Sequence, residues 1–329
     1  MNNAKLPLMI PGAQKLVQVC ANVQPGEEAL VITDMRQDPA LAEALTCALM
    51  AAKANPVVMN TVVAKRDSGE VPAPIAAAMM AADVVFTPVS VSLTHTDAVL
   101  EACAGGTRIV AMTQWTPDMM ISGGIDADFV AIEPKVRRVA RIWDQGETVR
   151  VTTAAGTDLT LDIRGRLGTP HAKTGIVRKG EFHPVPDIES PVSPVTAEGV
   201  IVCDGSIPYL GIGVLDEPVR LEVRNGNVVS ISGGRAAEIV KQAWESMNDP
   251  NVYNVAEIGI GMNPHCRLIG IMLEDEGVAS TCHIGIGTST TLGGTVKAAC
   301  HYDFILRNPT IVVDGTVLMD AGRLILPDE

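Results

Sequence analysis

Over the first 145 or so residues, short apolar runs alternate with Ala- and Leu-rich stretches of helical spacing. The runs at Glu28 to Thr33, Pro56 to Val63, Asp83 to Thr87 and Arg108 to Met112 read as strands. Pro11 is placed to open a helix, and Asp38-Pro39 reads as an N-cap followed by proline at the first helical position. The stretches to about Lys53, Pro74 to Ala82, Thr94 to Cys103 and Glu133 to Asp144 complete the helical set. This βαβα rhythm predicts a parallel sheet covered on both faces.

Beyond residue 146 the pattern changes to short alternating strands. Ala155-Gly156 and Asn225-Gly226 each separate two such runs and predict hairpins. Gly234 to Met247 is the one strongly helical stretch of this half. Glycine-rich strands follow at Val255 to Gly261, Leu268 to Leu273, Cys282 to Gly287, His301 to Leu306 and Thr310 to Val313. The Pro-rich stretch Thr169 to Pro194 reads as a loop or lid. The expected fold is α/β: a Rossmann-like parallel-sheet domain over 1–145, then a β-rich α+β metal-binding domain over 146–329.

Composition narrows the function classes. The chain is 47% hydrophobic, 19% charged and only 3% aromatic, so its core rests on aliphatic residues and methionine. A formal charge of −13 and the lack of a basic run argue against nucleic-acid or membrane partners. No apolar run of about 18 residues predicts a membrane span, and residues 1–11 lack a signal-peptide pattern. The 7 cysteines are scattered with no Cys-x-x-Cys pair, which suits a reducing cytoplasm. Neither a Gly-x-Gly-x-x-Gly nor a Walker motif follows a predicted strand, so the N-terminal half implies no nucleotide.

The chemistry gathers in the last third. His301 and Asp303 stand two apart in a strand, on one face, as a divalent metal requires. His283 shares its face with Gly285 and Gly287, which leaves open space beside the imidazole. Glu257 is a lone acid in an apolar strand, costly to bury unless paired or metal-bound. His265 follows Asn263-Pro264 and is a candidate to line the pocket, and Glu274, Asp275 and Glu276 form an acidic cluster.

The run Glu257–Pro264, the acids at 274–276, His283–Gly287, Gly293-Gly294 and His301-x-Asp303 resemble the aminopeptidase T/aminopeptidase S metallopeptidases. That resemblance implies two divalent ions, zinc, cobalt or manganese, in a homodimer acting on a small-molecule or short-peptide substrate. Glu217, Glu257, His283, His301 and Asp303 would be the ligands, with Glu257 bridging. Glu274 or Glu276 would serve as general base toward a metal-activated water attacking an amide. The chain departs from the family in having Thr288-Ser289-Thr290-Thr291 where a tyrosine is expected after the histidine. Cys300-His301-Tyr302-Asp303 with Leu306-Arg307-Asn308 also resembles the 2,5-dihydroxypyridine 5,6-dioxygenases, which hold one Fe(II) with two His and one Asp. In those enzymes a His stands where this chain has Glu257, and no acid matches Glu217. Counting both acids as ligands favours two cations and a hydrolase, with the ring-cleaving dioxygenase as the alternative.

Overall fold

A computed structural model describes residues 5–64, 69–94 and 96–326. The chain divides into two units, 1–133 with 174–186 and 134–173 with 187–329. The sequence places the boundary after 145, whereas this division falls inside the helix Phe129–Gln145.

The first unit is built on a five-stranded parallel sheet. Its order is Asn55–Thr61, Glu28–Asp34, Val84–Thr87, Arg108–Ala111 and Phe182–Pro184. Leu30, Ile32, Val85 and Ile109 from the strands pack with Ile75 and Val99 from the helices Ala73–Ala81 and Asp97–Gly105. Caps mark the helix ends. Asp38 accepts from the Ala40 amide ahead of Pro39–Ala51, and Thr96 accepts from the Val99 amide. Gly106, at φ 99°, closes Asp97–Gly105 in the left-handed conformation.

The first helix differs from expectation. It starts at Leu6, with Pro11 inside Leu6–Lys15. Pro11 is the sixth residue of the helix, past the four free amides of its first turn, so it removes one backbone hydrogen bond while the helix continues to Lys15.

The second unit carries two antiparallel sheets. The eight-stranded one contains both predicted hairpins, Thr148–Thr152 with Asp158–Asp162 and Val219–Arg224 with Asn227–Ser232. At the second turn Asn225 and Gly226 take φ of 49° and 74°, the two positive values a tight two-residue hairpin needs. The six-stranded sheet runs Gly213–Val214, Ser206–Ile207, His301–Arg307, Thr281–Gly287, Val255–Gly261 and Glu189–Val192.

Two predicted elements are corrected here. The Pro-rich segment is not only a loop, because Phe182–Pro184 and Glu189–Val192 each form an outermost strand. Proline lacks the amide that an inner strand must donate, and an edge position tolerates that loss. The apolar run at Leu268 to Leu273 is a turn leading into the short helix Met272–Asp275. Its amides at Ile269 and Gly270 donate to the buried Asp275 carboxylate and need no neighbouring strand.

Replacing the cap at Asp38 with alanine leaves the first-turn amide of Pro39–Ala51 unpaired. Asp38→Ala is expected to destabilise the protein by about 1 kcal/mol in urea unfolding.

Candidate metal centre

Four adjacent strands assemble the centre through one register. Glu257 pairs with Gly285, and Gly285 pairs with Asp303. His283 stands opposite Gly259, His301 opposite Gly287, and Glu189 on the edge strand opposite Gly261. Residues directly opposite in an antiparallel pair point to the same side, as do residues two apart in one strand. All five functional side chains therefore rise from one face, and each faces a glycine on a neighbouring strand. The space is real: a Cβ at Gly285 would come within 2.5 Å of His301 Nε2, and one at Gly259 within 2.0 Å of His283 Nε2.

The donor atoms converge on Glu257. Its Oε2 lies 3.0 Å from His301 Nε2 and its Oε1 lies 3.4 Å from His283 Nε2. His301 Nε2 is 3.3 Å from Asp303 Oδ1, and His283 Nε2 is 2.9 Å from Glu189 Oε2. This yields two groups that share Glu257, namely Glu257 with His301 and Asp303, and Glu257 with His283 and Glu189. Within each group the ligand atoms lie within 4.8 Å of one another.

The electrostatics follow from burial and proximity. Burial alone would lower both imidazoles, but Glu189 and Glu257 raise His283 well above its ordinary value. Asp303 and Glu257 do the same for His301. Burial would likewise raise Glu257 and Asp303, yet the two histidines pull both below the usual carboxylate range. Asp187, Glu189 and Glu276 go the other way, because burial and the neighbouring carboxylates push them up.

A surrounding layer orients these donors. His301 Nδ1 lies 2.7 Å from the Thr288 carbonyl, so that nitrogen carries the proton and Nε2 is left as the donor in the neutral ring. The Tyr209 hydroxyl donates to Asp303 Oδ2 at 2.7 Å and lies 3.2 Å from Glu276 Oε1. The buried Asp303 Oδ1 and Glu189 Oε2 have no partner besides the imidazole nitrogens they face. Such oxygens facing imidazole nitrogens are what a cation-binding site shows when protein groups alone are counted. The mixed nitrogen and carboxylate donors suit a divalent transition metal. The residues fit such an ion.

Four of the five ligands expected from the sequence, Glu257, His283, His301 and Asp303, are thus brought together. Glu217 is not. It is exposed, and its carboxylate lies against Gly234. It precedes Val219–Arg224, a strand of the eight-stranded sheet, while the other four lie on the six-stranded one.

Among the other candidates, His265 is exposed. Glu274 is buried, with Oε1 3.9 Å from Arg267 Nη2, and Glu276 lies 3.2 Å from the Tyr209 hydroxyl and close enough to Asp303 to feel its charge. His183 Nδ1 accepts from the Thr174 and Gly175 amides, a structural arrangement. His171 stands beside Gly293 and is close enough to Glu257 to feel its charge. His95 lies outside the described residues. Glu189, Asp187 and Tyr209 are missed by the sequence reading. The prolines around Glu189 mask its strand, and a lone Tyr209 carries no local signal.

A sequence model of the 2,5-dihydroxypyridine 5,6-dioxygenase family matches residues 9–326, and the chain belongs to that family. A 2,5-dihydroxypyridine 5,6-dioxygenase of Pseudomonas putida (strain KT2440) is 31% identical over 144 residues, a match spanning 41% of this chain and 41% of that protein. The solved structure of 2,5-dihydroxypyridine dioxygenase from Pseudomonas putida KT2440 has a TM-score of 0.81 at 22% identity, covering 100% of this chain and 99% of the other. AmpT from Thermus thermophilus has a TM-score of 0.69 at 15% identity, covering 97% and 99%. At these identities the two structures establish a shared fold.

The family match overturns the hydrolase reading. That reading took the acid count as decisive and included Glu217, which lies outside the centre. The motif Cys300-His301-Tyr302-Asp303 with Leu306-Arg307-Asn308 was the better guide. The chain is therefore placed in the dioxygenase family, with a residue cluster able to hold a metal. No helix among the described residues is long and apolar enough to cross a membrane.

Two predictions follow from this geometry. Gly285→Ala puts a methyl group 2.5 Å from His301 Nε2, at a position with no positive φ to confound the result. It is expected to weaken metal binding about 10- to 100-fold, as other disturbances of ligand orientation do, with far-UV circular dichroism unchanged.

The second concerns pH. Both imidazoles have raised pKa values, so their ion pairs stabilise the metal-free protein fully below the ordinary 6.5 and lose that effect as pH rises through the raised values. An incoming ion must displace those protons. Apparent metal affinity should therefore climb with pH until the raised values are passed, with proton release detectable by calorimetry in buffers of different ionisation enthalpy.

Proposed function

We propose that this chain is an iron(II)-dependent, ring-cleaving dioxygenase acting on a dihydroxypyridine-type substrate. The observation that carries the proposal is the buried cluster of Glu257, His301, Asp303 and His283, set in a chain that matches the dioxygenase family over residues 9–326. The activity of the Pseudomonas putida relative, which this chain matches over 41% of its length, supports the substrate class.

Glu257, His301 and Asp303 would hold the ion, with His283 at its flank. Bound iron(II) supplies the one-electron chemistry that lets ground-state oxygen react with an aromatic ring. The protein's own groups do the rest. The Thr288 carbonyl keeps the His301 proton on Nδ1, so Nε2 stays available to the ion. The inner face is lined by strands that are buried along their length, which limits water at the reacting ring. Burial and the nearby acids raise Glu276 and Asp187 above the usual carboxylate range, which favours their protonated forms. In this reading Glu276 acts as a proton donor and not as the general base of a hydrolase. A small-molecule partner, a cytoplasmic location and a homodimer remain part of the proposal.

Protein loaded anaerobically with Fe(II) and mixed with 2,5-dihydroxypyridine should consume oxygen, lose the ring absorbance and carry both atoms of labelled oxygen into one product. His301→Ala should lose bound iron and bring turnover to background with the fold retained. Persistence of the ring absorbance in the iron-loaded native protein would refute the assignment.

A further inference from the structure

Tyr209 lies in the turn between the strands Ser206–Ile207 and Gly213–Val214, far in sequence from every ligand. Its hydroxyl donates to Asp303 Oδ2 at 2.7 Å across 94 residues of chain. Its ring packs against Tyr302, with centroids 5.1 Å apart and planes tilted by 39°. Tyr302 neighbours Asp303 in the strand His301–Arg307, so one tyrosine holds both the backbone region and the side chain of that acid. The two carboxylate oxygens of Asp303 are thereby made unequal. Oδ2 is taken by the phenol, while the buried Oδ1 faces only His301 Nε2, at 3.3 Å.

We propose that Tyr209 is a positioning residue for the metal centre, fixing Asp303 so that only Oδ1 is presented to the ion. This rests on Asp303 being a metal ligand, and not on the reaction assigned above. A carboxylate free to rotate can offer either oxygen or both. One tied at Oδ2 by a neutral donor offers a single, directed lone pair and keeps its charge. Glu276 Oε1 lies 3.2 Å from the same hydroxyl. A phenol has one proton, and the shorter contact assigns it to Asp303.

The test uses the full-length protein and metal alone. Co(II) is titrated against a competing chelator and its visible d–d spectrum is recorded. Tyr209→Phe keeps the ring against Tyr302 and removes only the hydroxyl. It is expected to weaken Co(II) binding about 10- to 100-fold and to shift the d–d bands, with the melting temperature of the metal-free protein little changed. A merely structural tyrosine would move the melting temperature and leave the spectrum alone.

Glu276→Gln separates the two neighbours of the hydroxyl. Adding Tyr209→Phe to Glu276→Gln should produce the same further loss of affinity as in the native background. Three results would each overturn the proposal: native affinity and spectrum in Tyr209→Phe, disappearance of the loss when Glu276 is already glutamine, or failure of the native protein to bind Co(II). The last would also remove the metal-centre assignment, whereas the first two leave it standing.

Discussion

The carboxylate of Glu257, reached by one imidazole at each oxygen, is the interaction on which the centre depends. Oε1 faces His283 at 3.4 Å and Oε2 faces His301 at 3.0 Å, in a position only 5% exposed. A charge buried that deeply survives only when paired or bound to metal. The two histidines supply the pairing and so tie together three neighbouring strands of one sheet. Removing one imidazole would leave the buried Glu257 with a single partner, so the glycines and the ligands form one mutually dependent arrangement.

Glycine makes that arrangement possible. In an ordinary antiparallel sheet, cross-strand side chains fill the face between neighbours. Here Glu189, His283, His301 and the Glu257–Asp303 pair each face a glycine on a neighbouring strand, although His283 faces Ile305 on its other side. The face is consequently a shallow cradle walled by ligands, and the opposed edges of the cradle are set by Glu189 and Asp303. The acids in the surrounding layer add to this. Asp187 and Glu276 are buried close enough to the ligands that neither ionises readily, which limits the negative charge that an incoming cation meets.

Much of this was legible in the sequence, for local reasons. His283-Ile284-Gly285-Ile286-Gly287 and His301-Tyr302-Asp303 show a period of two with glycines on the ligand face, and strand geometry converts that directly into a site. The parallel sheet was legible from the βαβα rhythm and its capping residues. What escaped depends on distant parts of the chain. Glu189 lies among Pro184, Pro186 and Pro191, a composition that reads as loop until its edge position is known. Tyr209 reaches Asp303 only because Ser206–Ile207 pairs with the strand that carries that acid. Glu217 shows the converse error. Its place in the sequence suited a ligand, but the strand that follows it belongs to the other sheet. The Leu268 to Leu273 run misled because a buried acid, Asp275, satisfies its amides in place of a partner strand.

The central claim is that the shared carboxylate of Glu257, with His301 and Asp303, marks where an ion resides. Anomalous diffraction at the iron edge from crystals grown anaerobically with Fe(II) locates that ion directly. The account predicts a peak at about 2.0–2.3 Å from Glu257 Oε2, His301 Nε2 and Asp303 Oδ1. A single strong peak away from Glu257, with these three side chains still in contact only with one another, would contradict it.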